Sequence, residues 1–216
     1  ISEIHYHPAA PSAEEIAAGF ADQNLFEFLE VQNIGESNAD LTGVEFISGV
    51  AFTFPPGFTL APGARAVAVK DPGAFSFRYP DVPATQIAGD FLHGSGLRNS
   101  GERLTLQSAN GTIVANFVYG DSEPWPPAAD GAGPSLVLMR PATNPDSGEP
   151  LNWRPSAVSG GNPAEGDALL FVGDPNRDDD GDGLTAYAEH ALGTSDTDSS
   201  SREGLRVEVQ QFEVEG

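Results

Sequence analysis

The sequence predicts an all-β protein, an antiparallel β-sandwich followed by a small C-terminal calcium loop with a short helix. Three observations carry this. Seven or more short apolar stretches, separated by turn residues, run from residue 1 to about 157. The 216 residues include 25 glycines and 18 prolines, a loop-rich composition that suits strands better than helices. Finally, Asp178 to Glu189 matches a twelve-position calcium loop, D-x-D-x-D-G-x5-E, at every fixed position.

The elements follow in order. Residues 1–8, Ile-Ser-Glu-Ile-His-Tyr-His-Pro, form a first strand stopped by Pro8. Glu14 to Phe20 is expected to make one or two helical turns. Residues 24–33 are a second strand, with Leu25, Leu29 and Val31 on one parity. Leu41 to Ser48, Ala51 to Phe54 and Arg65 to Lys70 are further strands. Asp71 and Pro72 open a short helix over 71–79 as N-cap and first residue. Residues 103–119 are the clearest hairpin, turned by Asn110-Gly111, whose positive φ angles such turns need. Ser135 to Arg140 is the last strand of the sandwich. Residues 158–173, with Gly160-Gly161-Asn162-Pro163, read as a linker.

In the calcium loop, Asp178, Asp180 and Asp182 hold positions 1, 3 and 5, and Gly183 supplies the turn at position 6. Leu184 would offer its carbonyl at position 7, and Glu189 a bidentate carboxylate at position 12. Ala186 at position 9 has no side-chain oxygen, leaving that corner to water. A solvated acidic linker would not place Gly at 6 and Glu at 12. Nor would it continue into an apolar helical face of Leu184, Tyr187, Ala188, Ala191 and Leu192, stopped by Gly193. The preceding residues 168–175 read as strand and turn, not as an entering helix, so a paired EF-hand is not expected. Asp174, Asn176, Asp196 and Asp198 are further oxygen donors nearby.

The stretch from Asp174 to Ser201 resembles bacterial thrombospondin type 3-like repeats, in D-x-D-x-D-G-L-x4-E, a short helix, and Gly193-Thr194 leading to Asp198. That resemblance implies a rigid, calcium-stiffened spacer. Residues 1–157 resemble the bacterial lamin tail domain. The matching blocks include Ile1 to Ile4 with His7-Pro8, Phe28 to Asn33, Asp40 to Gly43 and Phe52 to Pro55. They continue through Leu97 to Glu102, Tyr119 to Asp121, Trp125-Pro126, Asp130-Gly131, Ser135-Leu136 and Asn152-Trp153. This resemblance implies an immunoglobulin-like sandwich without catalytic residues, an accessory module of large secreted or surface proteins.

Charge and composition exclude several functions. The chain carries 32 acidic and 10 basic residues, a formal charge of −22, and lacks the basic clusters that grip phosphates or anionic membranes. No stretch approaches the length of about 18 apolar residues that spans a bilayer. There is no cysteine, and no signal peptide precedes the first strand. Residues 202–216 read as the start of a further β segment, so both ends look like cuts in a longer chain.

Other candidate chemistry is weak by pattern. His5 and His7 share a strand face and could chelate a transition metal, but no third ligand is recognisable, while His93 and His190 are isolated. Glu27 and Glu30 are three apart, so they point to opposite faces and cannot pair as glycosidase carboxylates; Glu30 is expected to bond a loop backbone. Ser95 has no nucleophile-elbow frame. Trp125 and Trp153 read as core anchors rather than a sugar-stacking platform. The expectation is a non-enzymatic, calcium-binding structural or adhesion module, extracellular or on the cell surface. It comprises a sandwich (1–157), a linker (158–173), a calcium repeat (174–201) and the start of the next segment. The alternative is a glycan- or protein-binding accessory domain of an extracellular enzyme.

Overall fold

The computed structural model describes residues 1–166, 174, 176–186, 188, 189, 197 and 199. The chain divides into two compact units, Ile1–Asp167 and Ala168–Gly216.

The first unit opens with strand β1 (Glu3–His5) and helix α1 (Ala13–Ala17). A capping box starts α1: the Glu15 N–H donates to Ser12 Oγ, and the Ser12 N–H donates back to the Glu15 carboxylate. Strand β2 (Phe28–Gln32) follows a 3₁₀ turn over Gln23–Phe26, so Leu25 belongs to that turn and not to the strand. Then come β3 (Ala39–Asp40), β4 (Glu45–Ser48), β5 (Phe52–Thr53), β6 (Thr59–Leu60) and β7 (Arg65–Val69). Helix α2 (Pro72–Arg78) is capped by Asp71, whose Oδ1 accepts the Ala74 N–H at 2.8 Å. Strands β8 (Ile87–Asp90), β9 (Glu102–Gln107), β10 (Ile113–Tyr119), β11 (Leu136–Leu138) and β12 (Trp153–Pro155) complete the unit.

Two principal sheets face each other, ordered β12-β11-β1-β2-β7-β8 and β10-β9-β4-β5, with β3-β6 as a small third. The expectation of a wholly antiparallel sandwich needs one correction: β7 and β8 run parallel. A parallel neighbour requires a long crossover, and α2 supplies it. The same helix covers Phe28, and Ser2, Arg65 and Ala164 close over Glu30, so Phe28, Leu29, Glu30 and Val31 are buried in succession where simple alternation predicts one wet face. Leu29 and Val31 join Ile4, Ala68 and Leu136 in the inner core, against Phe46, Phe52, Leu104 and Phe117. Phe28, Val67 and Val69 form an outer core with Phe75 of α2. Phe28 meets Phe75 edge-on, ring centroids 5.7 Å apart.

The Leu41 to Ser48 strand is interrupted. A turn separates β3 from β4, where Gly43 takes φ +71°. The β9–β10 hairpin forms as expected, but its loop has three residues, Ala109, Asn110 and Gly111. Only Gly111 is left-handed (φ +87°), and the Ser108 N–H donates to Thr112 O across the loop base. Ser135 to Arg140 is not the last strand, because β12 pairs with β11 outside it, Trp153 opposite Leu138. Pro155 is tolerated there because β12 is an edge.

Residues 158–166 belong to the first unit and are bonded to its strands and helix. The Ala164 N–H donates to Glu30 Oε2 at 2.7 Å, the Asn162 N–H to Glu3 Oε1 at 3.3 Å, and Tyr79 Oη to Gly160 O at 2.6 Å. Gly161 (φ +78°) passes so close that a Cβ would stand 2.1 Å from Glu3 Oε1. The strand reading of 168–173, the helical face residues Tyr187, Ala191 and Leu192, the donors Asp196 and Asp198, and the β reading of 202–216 lie outside the described residues.

Candidate metal centre

Residues 178–184 curl because two glycines bend the backbone left-handed, Gly181 at φ +71° and Gly183 at φ +91°. The bends turn main-chain N–H groups inward. The Asp182 N–H donates to Asp178 Oδ1 and Asp180 Oδ1, both at 3.1 Å. The Gly183 N–H donates to Asp178 Oδ2 at 3.0 Å, and the Leu184 N–H to Asp182 Oδ1 at 2.7 Å. These side chain–backbone bonds fix the carboxylates before any ion arrives. Arg177 pairs with Asp179, at position 2, so the loop's one guanidinium is drawn to a residue outside the ligand pattern.

Asp178, Asp180 and Asp182 each bring one oxygen within 4.8 Å of the others. Two full charges at that spacing repel by about 1 kcal/mol in water and several times more near a protein surface. Asp182 is buried, and Asp180 Oδ2 is a buried atom with no hydrogen-bond partner among the described residues. Glu189 follows on a helical turn whose Ala188 N–H is capped by Thr185 Oγ1 and whose Glu189 N–H donates to Thr185 O. Glu189 is 1% exposed. An all-oxygen set with a turned-in, orphaned carboxylate oxygen fits a hard divalent cation. An oxygen-only set of this kind is closer to what Ca²⁺ accepts, with its variable six to eight ligands, than to the strict octahedron of Mg²⁺. Leu184, half-buried, occupies the sequence position whose carbonyl such loops use.

The buried titratable groups of the first unit hold loops and strands together or pack in its interior. His5 is fully buried beside Phe28, ring centroids 5.3 Å apart, and neither ring nitrogen has a hydrogen-bond partner among the described residues. Burial, then the charges of Arg78 and His7, hold it down to about pKa 3. His7 instead binds Asp130 through Nδ1 at 2.5 Å, so the two histidines do not converge. Glu27 lies before β2 and accepts the Leu97 N–H at 2.8 Å; Glu30 accepts Ser2 Oγ at 2.6 Å and faces Arg65 at 3.1 Å. Burial pushes both carboxyls up to about 7, against Lys70 for Glu27 and against Ser2 and Arg65 for Glu30. Glu30 bonds a loop backbone as expected, through the Ala164 N–H; sequence pattern missed that it is buried and that Glu3 and Glu27 are likewise buried staples for loops 158–166 and 95–97, because acidic residues ordinarily face water.

Ser95 is tied up by the Ala51 N–H and Leu92 O. Trp125 and Trp153 are buried, Trp153 stacked on Phe117 with centroids 5.7 Å apart, so neither offers a free ring face. Among the described residues, no helix is long and apolar enough to cross a membrane.

The family model for the Lamin Tail Domain matches residues 1–121, more than half of the chain. Strands β11 and β12 fall outside that span yet pair into the same sheet as β1. No curated protein matches the chain.

Proposed function

The chain belongs to the lamin tail domain family, immunoglobulin-like and typically non-catalytic, and from that premise we propose a structural module whose second unit is ordered by calcium. The observation that carries this reading is the convergence of Asp178, Asp180 and Asp182, with the orphaned Asp180 oxygen, ahead of the buried Glu189. Asp178, Asp180, Asp182 and Glu189 would hold the ion through carboxylates and Leu184 through its carbonyl. The ion would supply the positive charge that lets four carboxylates share one small volume. Because it binds the ordered loop and not the open one, its binding free energy is ordering free energy.

On this reading the segment 174–201 is a thrombospondin type 3-like spacer, part of a larger secreted or cell-surface bacterial protein, where calcium is abundant enough for a weak site to fill. The buried tryptophans favour this structural role over glycan stacking. Calorimetric titration of chelator-stripped protein with CaCl₂ tests it. One saturable site, lost in Asp180→Ala and Glu189→Ala, is the expected result, with calcium slowing proteolysis within 174–201. No heat in the wild type, or heat that both variants retain, would refute the assignment.

A further inference from the structure

Of ten asparagines in the chain, only Asn110 is followed by glycine. It lies in the exposed loop between β9 and β10, in the first unit, whereas the candidate metal centre belongs to the second. Gly111 has open space where a Cβ would stand, so no side chain of its own or of a described residue beyond its two chain neighbours covers that face of the loop. Asn110 Oδ1 accepts two hydrogen bonds, from Ser108 Oγ at 2.7 Å and from the Thr112 N–H at 3.1 Å. Ser108 Oγ also reaches Thr112 O at 3.1 Å, but its shorter contact is to Asn110.

We propose that Asn110 is a site of self-deamidation assisted by Ser108. The Gly111 nitrogen attacks Asn110 Cγ and a new N–Cγ bond forms. The Cγ–Nδ2 bond then breaks, and ammonia leaves carrying the proton that the Gly111 nitrogen gave up. The resulting five-membered imide is opened by one water at either carbonyl, leaving aspartate or isoaspartate at position 110. Water is the only co-reactant. During attack, negative charge gathers on Oδ1, the atom that Ser108 Oγ and the Thr112 N–H already face, which is the geometry of an oxyanion hole. A second contact sets the pace: the Gly111 N–H donates to Ser108 O at 2.8 Å and must let go before attack.

The product changes the hairpin. Isoaspartate routes the main chain through the former side chain, lengthening a three-residue loop whose base is closed by the Ser108–Thr112 pair. Either product adds one negative charge to a chain already at −22.

The test ages the intact chain at neutral pH and body temperature and follows its tryptic peptides by fragmentation mass spectrometry; because Arg140 and Arg154 each precede proline, Asn110 lies in the peptide 104–177, where fragment ions separate it from Asn116 and the later asparagines. Conversion at Asn110 should lead that at the other nine asparagines. Ser108→Ala should slow it about tenfold, less than the 10²–10³ of a fully desolvated oxyanion donor because this loop sits in water. Ser108→Thr, which keeps the hydroxyl, should retain the wild-type rate. Prior conversion at another asparagine would overturn the site. An unchanged or faster rate in Ser108→Ala would overturn the role of Ser108 and assign the rate to loop opening alone.

Discussion

His5→Leu should abolish a stability loss of about 2 kcal/mol that acidification from pH 8 to pH 5 causes in the wild type. The imidazole is fully buried beside Phe28, has no hydrogen-bond partner among the described residues and sits near Arg78, so its neutral form is strongly preferred in the fold. The folded value is about 3 against an ordinary 6.5. A histidine depressed in this way contributes stability that is present above pH 6.5 and lost as pH falls towards 3, because the unfolded chain takes up the proton first. The full window corresponds to about 5 kcal/mol at 1.36 kcal/mol per decade, of which about 2 falls between pH 8 and pH 5. Glu27 and Glu30 work in the opposite direction. Raised to about 7, each contributes stability present below its ordinary 4.5 and lost as pH rises through 7. The wild-type profile therefore mixes opposing slopes, and only the difference between wild type and variant isolates His5. Urea unfolding followed by tryptophan fluorescence measures it, since Trp125 and Trp153 are both buried in the sandwich. A difference equal at pH 8 and pH 5 would show that the ring meets water or a partner in solution, and the reasoning would fall.

Three other substitutions probe the packing. Arg78→Ala should cost about 3 kcal/mol in urea unfolding, because it removes a two-pronged pair with buried Glu15 (2.7 and 2.8 Å) and a guanidinium 3.4 Å from the Phe26 ring centre. A loss below the level of an exposed pair would mean that Glu15 finds another cation. Gly101→Ala and Gly111→Ala form a matched comparison at φ +83° and +87°. The former sets a Cβ 2.3 Å from Tyr119 O and should cost about 3 kcal/mol, while the latter meets nothing and should cost about 1. Equal melting temperatures for the two would refute the steric account.

Local chemistry made much of this legible. Asp71-Pro72 announced α2 because a cap and a φ-locked first residue act within one turn, and Asn110-Gly111 announced a hairpin although not its loop length. Partners distant in the chain were not legible. The parallel pairing of β7 with β8 depends on where α2 lands. The strand role of Trp153 depends on a neighbour fifteen residues earlier, Leu138. The burial of Glu3, His5, Glu27 and Glu30 runs against their polarity and emerges only once helices and loops close over the outer sheet face. In the second unit the aspartate spacing was local, and the carboxylates of Asp178, Asp180 and Asp182 do gather; no spacing rule could announce the orphaned oxygen of Asp180.

The position of β1 orders events during synthesis. Of the described strands β1 is made first, yet it sits between β2 and β11, and its Glu3 receives Ser135 Oγ and the Asn162 N–H, 132 and 159 residues downstream. Glu30 waits similarly for Ala164, 134 residues later. Until that distant chain arrives, both carboxylates keep their water, and the central sheet has an open seam beside β1. Closure is therefore a late, long-range and slow step. In the interval the nascent sandwich exposes a strand edge, whose hydrated acidic side chains keep it from pairing with other chains.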